Sequence, residues 1–148
     1  MIRQATIEDL PLIEPGAREF YAKSRFLRNF DMAHFRKNWE YLLVSGIGTI
    51  FLLIEHDKVI GFLGGTKFPD INSGELIASE CFWFVRESSR GGGGLLYRAF
   101  ERWAKDSKCK QIQMVHLTDS MPEDLESFYR NIGFEKAEVR YLKDLPCQ

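Results

Sequence analysis

The chain is short of the residues that most often declare a function. Three cysteines, Cys81, Cys109 and Cys147, are spread through 148 residues beside only three histidines. Such an odd, widely spaced set gives no disulfide framework. No C-x-x-C or cysteine–histidine spacing suggests zinc, and no metal is expected. Reduced thiols are the expectation, with Cys81 packed in a strand. Net charge is −1, so no bulk field draws the chain to nucleic acid or to a membrane surface. The apolar run Ile50 to Ile54 is far too short to cross a bilayer. Met1-Ile2-Arg3-Gln4 leads directly into patterned sequence, without the basic start, apolar stretch or cleavage site of a secretory signal, and a cytoplasmic setting is expected. The sequence also has no repeats, no low-complexity tracts and no linker.

What is present is ordinary globular composition, 45% hydrophobic and 28% charged, in a length that suits one domain spanning residues 1–148. The most distinctive stretch is Ser88-Ser89-Arg90-Gly91-Gly92-Gly93-Gly94. Before it, Cys81-Phe82-Trp83-Phe84-Val85 reads as a buried strand. After it, Leu96, Ala99, Phe100, Trp103 and Ala104 recur at helical spacing. Glycine leaves its N–H groups uncovered by any Cβ, and the first N–H groups of a helix have no internal partner. A strand, a bare-amide loop and a helix start together make a phosphate cradle. A dinucleotide loop of the G-x-G-x-x-G kind belongs after a first strand, with an acidic residue about twenty positions on. Here the loop comes late, and no Gly-Lys-Ser/Thr of a P-loop follows it.

The rest of the chain reads in order as a mixed α/β sheet. Ile2 to Ala5 is a short strand. Thr6 caps a helix with Asp9 three residues on, and Leu10, Ile13, Ala17, Phe20 and Tyr21 fall on one face. Pro15-Gly16 is expected to kink or interrupt that helix. Asp31 opens a second helix, Met32 to Ser45, which Gly46 ends. Thr49–Ile54 and Lys58–Gly65 are strands flanking a His56-Asp57 hairpin turn. Residues 68–74 form a loop, and Glu75 to Val85 is the third strand of this meander. Gln111 to Leu117 is a strand parallel to the one before the glycines, because strand–helix–strand implies a right-handed crossover. Pro122 to Asn131 is a short helix opened by Ser120 or Met121, and Ala137 to Leu142 alternates as a final strand.

In this order, β-α-α-β-β-β-α-β-α-β, the chain resembles the GCN5-related N-acetyltransferase (GNAT) superfamily over nearly its whole length. The family's acyl-CoA loop is Q/R-x-x-G-x-G/A, and two registers fit. Read backward from the helix, Ser88-Ser89-Arg90-Gly91-Gly92-Gly93 matches with both glycines in place and Ser88 departing from Gln or Arg. Read forward from the strand, Arg90 takes the first position and Gly93 the fourth, and Leu95 replaces the last small residue. Helix length favours the first. The segment Phe128-Tyr129-Arg130-Asn131-Ile132-Gly133-Phe134 resembles the family's terminal Y-x-x-x-G-F element.

The resemblance implies acetyl-CoA as co-substrate and an amine-bearing acceptor, with a homodimer an open expectation. The amides of Arg90, Gly91, Gly92, Gly93 and Gly94 would hold the pyrophosphate, and the backbone of Phe84 and Val85 would meet the pantetheine arm. Tyr129 would protonate the leaving thiolate; a phenol of ordinary pKa near 10 suits that task. Glu80 is the candidate base, since Phe82, Trp83 and Phe84 would desolvate its carboxylate. His116 is a weaker alternative, with Glu75 and Asp119 behind it. Main-chain donors of the strand would polarise the carbonyl. The aromatic residues Phe20, Tyr21, Phe26, Phe30, Phe35, Trp39 and Tyr41 would lie toward the acceptor or simply fill the core, while Arg25 and Arg28 hint at an anionic acceptor or a surface patch. A second reading, a non-catalytic acyl-CoA-binding module of the same fold, stays open on Ser88 and on the unsettled base.

Overall fold

The computed structural model describes residues 1–119 and 125–147, with the backbone alone at Arg90. Five strands form one sheet in the order β1 (Ile2–Gln4), β2 (Gly48–Glu55), β3 (Lys58–Pro69), β4 (Leu76–Val85), β5 (Gln111–Gln113). The first four are antiparallel neighbours, and β4 and β5 run parallel. Helices α1 (Leu10–Ala22) and α2 (Met32–Ser45) cover one face of the sheet; α3 (Gly93–Asp106) covers the other, and α4 (Leu125–Asn131) follows β5.

Local chemistry accounts for most of these boundaries. The Asp31 side chain accepts the His34 N–H at 3.1 Å and opens α2, and Gly46 at φ +72° closes it. His56 and Asp57 both adopt positive φ, 48° and 60°, which is what a two-residue hairpin turn demands. At the amino end, Thr6 N–H donates to Asp9 Oδ2 at 2.8 Å across a 3-10 turn, Ile7–Asp9, that feeds α1. Arg3 on β1 grips the same carboxylate with both guanidinium nitrogens, at 2.6 and 2.7 Å. The expected interruption at Pro15-Gly16 does not occur: α1 is continuous. Gly16 lies so close to the sheet that a Cβ there would sit 2.6 Å from a Phe62 ring carbon, and this packing carries the helix through the proline.

Two clusters sandwich the sheet. Leu10, Ile13, Ala17, Phe35 and Trp39 pack on Ile50, Leu52, Phe62, Phe82 and Phe84. On the α3 side, Leu96, Phe100 and Ala104 pack on Phe51, Leu53, Leu63 and Ala78. Strand β4 therefore alternates beyond Glu80, with Phe82 and Phe84 toward α1 and α2, and Trp83 and Val85 toward α3.

Two strand expectations need correction. The fifth strand, read from Gln111 to Leu117, pairs only through Gln113. The sixth, Ala137 to Leu142, does not form. Its alternation is apolar, but Val139, Tyr141 and Leu142 are 63%, 92% and 61% exposed, with no strand edge paired to them among the described residues. A period of two makes a strand only where a neighbour supplies the ladder. The start of the fourth helix, read at Pro122 with Ser120 or Met121 before it, lies outside the described residues.

Candidate active site

The sheet opens at one place. β4 and β5 pair from Ile77/Gln111 to Ser79/Gln113, and from Glu80 onward β4 has no partner on that edge among the described residues. On its other edge β4 carries a bulge: Gly65 faces Glu80 and Gly64 faces Phe82, which leaves Cys81 as the extra residue. A bulge bends and twists its strand, so the kink sits where the two parallel strands part.

The carboxylate of Glu80 is aimed into this opening. Glu80 is only 7% exposed, and its Oε2 accepts the Val115 N–H at 2.9 Å. The Val115 carbonyl accepts the Tyr129 hydroxyl at 2.8 Å. One residue beyond the end of β5 thus spends both main-chain groups on side chains instead of on β4, which is why β5 stops where it does. It also ties the candidate base and the candidate acid to one residue.

Burial raises the Glu80 carboxyl to about 7, and the Val115 N–H offsets only part of that effect. No cation pairs with it among the described residues, and a carboxyl near neutrality is poised to give and take a proton at physiological pH. Tyr129 is raised above the usual phenol value, first by burial and then by the charge of Glu80. It is a weaker acid than its ordinary value suggests and keeps its proton on the Val115 carbonyl.

The rest of the Y-x-x-x-G-F element explains how Tyr129 is held. Gly133 at φ +97° turns the chain so that Phe134 N–H donates back to the Tyr129 carbonyl at 2.9 Å. Phe134 then packs on Tyr129 and on Tyr97, with ring centroids 5.5 and 5.8 Å apart. Tyr129 also neighbours Trp83 and Phe128, at 6.3 and 6.1 Å.

A small cavity of about 50 Å³ lies at this point, lined by Phe20, Leu27, Glu80, Cys81, Trp83, Val115 and Leu117. A larger hollow of about 280 Å³ between α3, β5 and the end of α4 lies away from Glu80. Above the small cavity, the segment after α1 is clasped to the segment after β5: Ser24 Oγ donates to Asp119 Oδ1 at 2.7 Å, and Arg25 N–H donates to Asp119 Oδ2 at 3.1 Å. Asp119 is therefore a structural tie. His116 is exposed, as is Glu75 just before the far end of β4, and neither joins Glu80. Arg28 pairs with Asp144 at 2.6 Å on the open surface, where such a pair is worth little. Of the crowded aromatic residues, Phe35 and Trp39 are core, Tyr41 is exposed and Phe20 lines the cavity.

The glycine stretch is folded. Glu87–Gly92 holds two 3-10 turns either side of a kink at Ser89 (φ −128°, ψ 21°) and runs into α3, whose first residues are Gly93 and Gly94 and whose start receives no side-chain cap. Gly92 lies flush on Leu53, where a Cβ would come within 2.2 Å of Cδ2. At Gly93 a Cβ would lie 3.2 Å from Cζ2 of Trp83, while Gly91 has open space around it. Two of the glycines thus serve close packing, and the amides of the helix start stay unblocked by side chains. Phe84 and Val85 place their side chains in the two cores. The Val85 main-chain groups turn to the open edge, while those of Phe84 lie on the β3 side, as Arg86 N–H does in donating to the Ile60 carbonyl at 2.9 Å.

Three features fit an acyl-CoA: an unpaired stretch of β4, a bare helix start just beyond it, and a buried donor, Nε1 of Trp83, with no partner among the described residues. The sequence had flagged Glu80, Tyr129 and the glycines. It gave no sign of Val115, whose part is played by main-chain atoms, and Trp83 was readable only as one member of an apolar run.

Comparison with known proteins supports the same fold. A ribosomal-protein-alanine N-acetyltransferase from Brucella melitensis biovar Abortus 2308 aligns over 98% of this chain and 99% of its own, at 17% identity and a TM-score of 0.72. AAC(6')-Iy in complex with the bisubstrate analogue CoA-S-monomethyl-acetylneamine aligns over 99% and 98%, at 21% identity and a TM-score of 0.75. An aminoglycoside acetyltransferase from an uncultured soil metagenomic sample, bound to sisomicin, aligns over 99% and 96%, at 19% identity and a TM-score of 0.76. At these identities the likeness speaks for the fold. No curated protein matches the chain. The family model described as Acetyltransferase (GNAT) family matches residues 14–134, and the chain belongs to that family, as an acyltransferase.

Proposed function

We propose that the protein moves an acetyl group from acetyl-CoA to a primary amine by direct attack, without a covalent enzyme intermediate. The observation that carries this reading is the carboxyl of Glu80, buried, without a cationic partner among the described residues and raised to about 7, facing a cavity at the point where β4 leaves β5. An amine reaches the site as an ammonium ion and attacks only as a free base, so a group that removes its proton near neutrality is required. Glu80 takes that proton, directly or through a water. The ammonium also supplies the positive charge that the buried carboxylate lacks.

Bound acetyl-CoA supplies the activated acetyl group as a thioester. The open edge of β4 meets the pantetheine arm through the Val85 backbone, beside Phe84, and main-chain N–H groups of β4 polarise the carbonyl under attack. The amides of Arg90 to Gly94 hold the pyrophosphate at the start of α3. Tyr129 turns its hydroxyl from the Val115 carbonyl toward the sulfur as negative charge builds there. Because burial raises its pKa, it acts chiefly as a hydrogen-bond donor to the departing thiolate and yields the proton late.

The cavity favours a slim acceptor head. Its volume is about 50 Å³, and apart from Glu80 its lining side chains are Phe20, Leu27, Cys81, Trp83, Val115 and Leu117. An aminomethyl or α-amino group fits such a space, and the body of the acceptor stays outside. The related folds act on aminoglycosides and on a ribosomal-protein alanine; both present a primary amine. Cys81, Cys109 and Cys147 are unpaired, which suits a reducing compartment such as the cytoplasm. No described helix is long and apolar enough to cross a membrane.

The test is thiol release from acetyl-CoA against a panel of primary amines, with the N-acetyl product confirmed by mass. Release of CoA in step with an N-acetylated amine, with a rate that rises with pH through about 7, is the expected result. Transfer to hydroxyl acceptors alone, or a rate flat across pH 5–9, overturns the reading.

A further inference from the structure

One donor in the site is left without work. Nε1 of Trp83 is shut off from solvent and has no hydrogen-bond partner among the described residues. Buried N–H groups are nearly always paired, and an orphan is best explained by an acceptor that arrives in another state. A wholly apolar side chain would suit this cluster without leaving a donor stranded.

The place of the ring identifies that acceptor. Trp83 lies on the stretch of β4 that has left β5, on the α3 side of the sheet. It lines the cavity that holds Glu80 and Val115. Its other edge reaches the helix start, where an ideal Cβ on Gly93 would lie 3.2 Å from Cζ2 and 3.7 Å from Nε1. Phe128 and Tyr129 flank it, with ring centroids 5.9 and 6.3 Å away. The indole therefore spans the distance between the reacting end of the site and the glycine loop. A flexible chain fixed at the loop and reacting beside Glu80 must run along it.

We propose that Trp83 forms the floor of the channel for the pantetheine arm and donates its indole N–H to an amide carbonyl of that arm. This rests on the acyl-CoA reading above. The arm suits the donor: its amide oxygens are neutral acceptors, and the Tyr129 hydroxyl beside the ring is engaged with the Val115 carbonyl and makes no bond to Nε1. Trp83 is then a binding residue that tells acyl-CoA from its nucleotide half.

Two measurements on the full chain test it. Isothermal titration compares CoA with 3′-phospho-ADP, which keeps the nucleotide and pyrophosphate but has no arm. Trp83→Phe is expected to weaken CoA binding by about five- to tenfold, the loss of one hydrogen bond, and to leave 3′-phospho-ADP unchanged. In 15N-labelled wild-type protein, the Trp83 indole cross-peak, assigned by its contacts to Gly93 and Phe128, is expected to move downfield with CoA and to stay in place with 3′-phospho-ADP. This second readout stands even if the variant folds poorly. Equal CoA affinity in the variant, equal losses for both ligands, or an indole peak unmoved by CoA while the loop amides shift would each overturn the proposal. A wild-type protein in which no resonance responds to CoA points instead to failure of the acyl-CoA reading itself.

Discussion

Asp9 and Glu80 expose the same small share of their surface, 7% each, but Glu80 lies deeper in the protein, and the two titrate in opposite directions. Asp9 sits in a fork of Arg3 and accepts Thr6 N–H, and these contacts hold its carboxyl well below the usual range. Glu80 has one main-chain N–H and, among the described residues, no cation, and burial lifts it to about 7. Surface exposure alone thus decides nothing about a carboxylate. A cation within bonding distance turns it into a clasp between β1 and α1; without one, beside a cavity, it is the proposed base. The two predictions that follow most directly try to break that contrast.

The largest effect is expected at Glu80. Glu80→Gln keeps the shape and still accepts the Val115 N–H but cannot take a proton. kcat/KM should fall by about a hundredfold or more, and the rise of rate with pH through about 7 should disappear. If the variant keeps that limb, the base lies elsewhere. Stability should respond with the opposite sign. The folded carboxyl binds its proton more tightly than the unfolded one, so the wild type loses stability as pH rises from the ordinary glutamate value, near 4, to about 7. The variant is spared this, and its melting temperature should gain on the wild type between pH 5 and pH 8.

Next in size is the clasp. Asp9→Asn removes the charge that Arg3 grips, and unfolding in urea at pH 7 should show a loss of about 2 kcal/mol, a figure kept modest because the Arg3 side chain is 39% exposed. Here linkage runs the usual way. The lowered pKa lends stability above the ordinary aspartate value, and the wild type should lose it as pH falls below about 4. Turnover should be unaffected, because Asp9 touches nothing in the cavity. A large loss of kcat without loss of stability would erase the distinction between the two carboxylates.

The sequence made one of these groups legible and half of the other. Asp9 was readable as the capping partner of Thr6, three residues on, but nothing local showed Arg3 as its second partner. Glu80 was readable as a carboxylate among aromatic residues, and Tyr129 through the Y-x-x-x-G-F pattern. That the two meet on Val115 was not, because a peptide group has no residue signature. The same limit governed the fold. Asp31 and Gly46 marked both ends of α2, and His56-Asp57 marked the hairpin, because capping and turn chemistry are local. The end of β5 and the failure of 137–142 to pair depend on where a neighbouring edge runs, which periodicity cannot report.

A smaller effect is expected at Tyr129. Tyr129→Phe removes the donor but leaves the ring among Trp83, Phe128 and Phe134. kcat should drop by about tenfold, or ~1.4 kcal/mol of barrier, with KM for acetyl-CoA little changed. Turnover equal to wild type would leave Tyr129 as a packing residue that happens to cap Val115.

The smallest effect tests whether the far side of the cavity is held as firmly as the near side. Asp119 does for the segment after α1 what Arg3 does for Asp9: it accepts from Ser24 Oγ and from Arg25 N–H, and these bonds keep its carboxyl below the ordinary range. Ser24 is buried and in turn accepts Phe26 N–H at 3.1 Å, so the clasp sets the course of the chain that carries Leu27 into the cavity wall. Unlike Asp9, Asp119 is open to water, and its bonds compete with solvent. Asp119→Ala should therefore raise KM for the amine by about threefold while KM for acetyl-CoA stays constant, since the glycine loop and β4 are untouched. An equal rise in both constants would mean that the clasp supports the whole opening between β4 and β5 and that acceptor and donor sides are not independent.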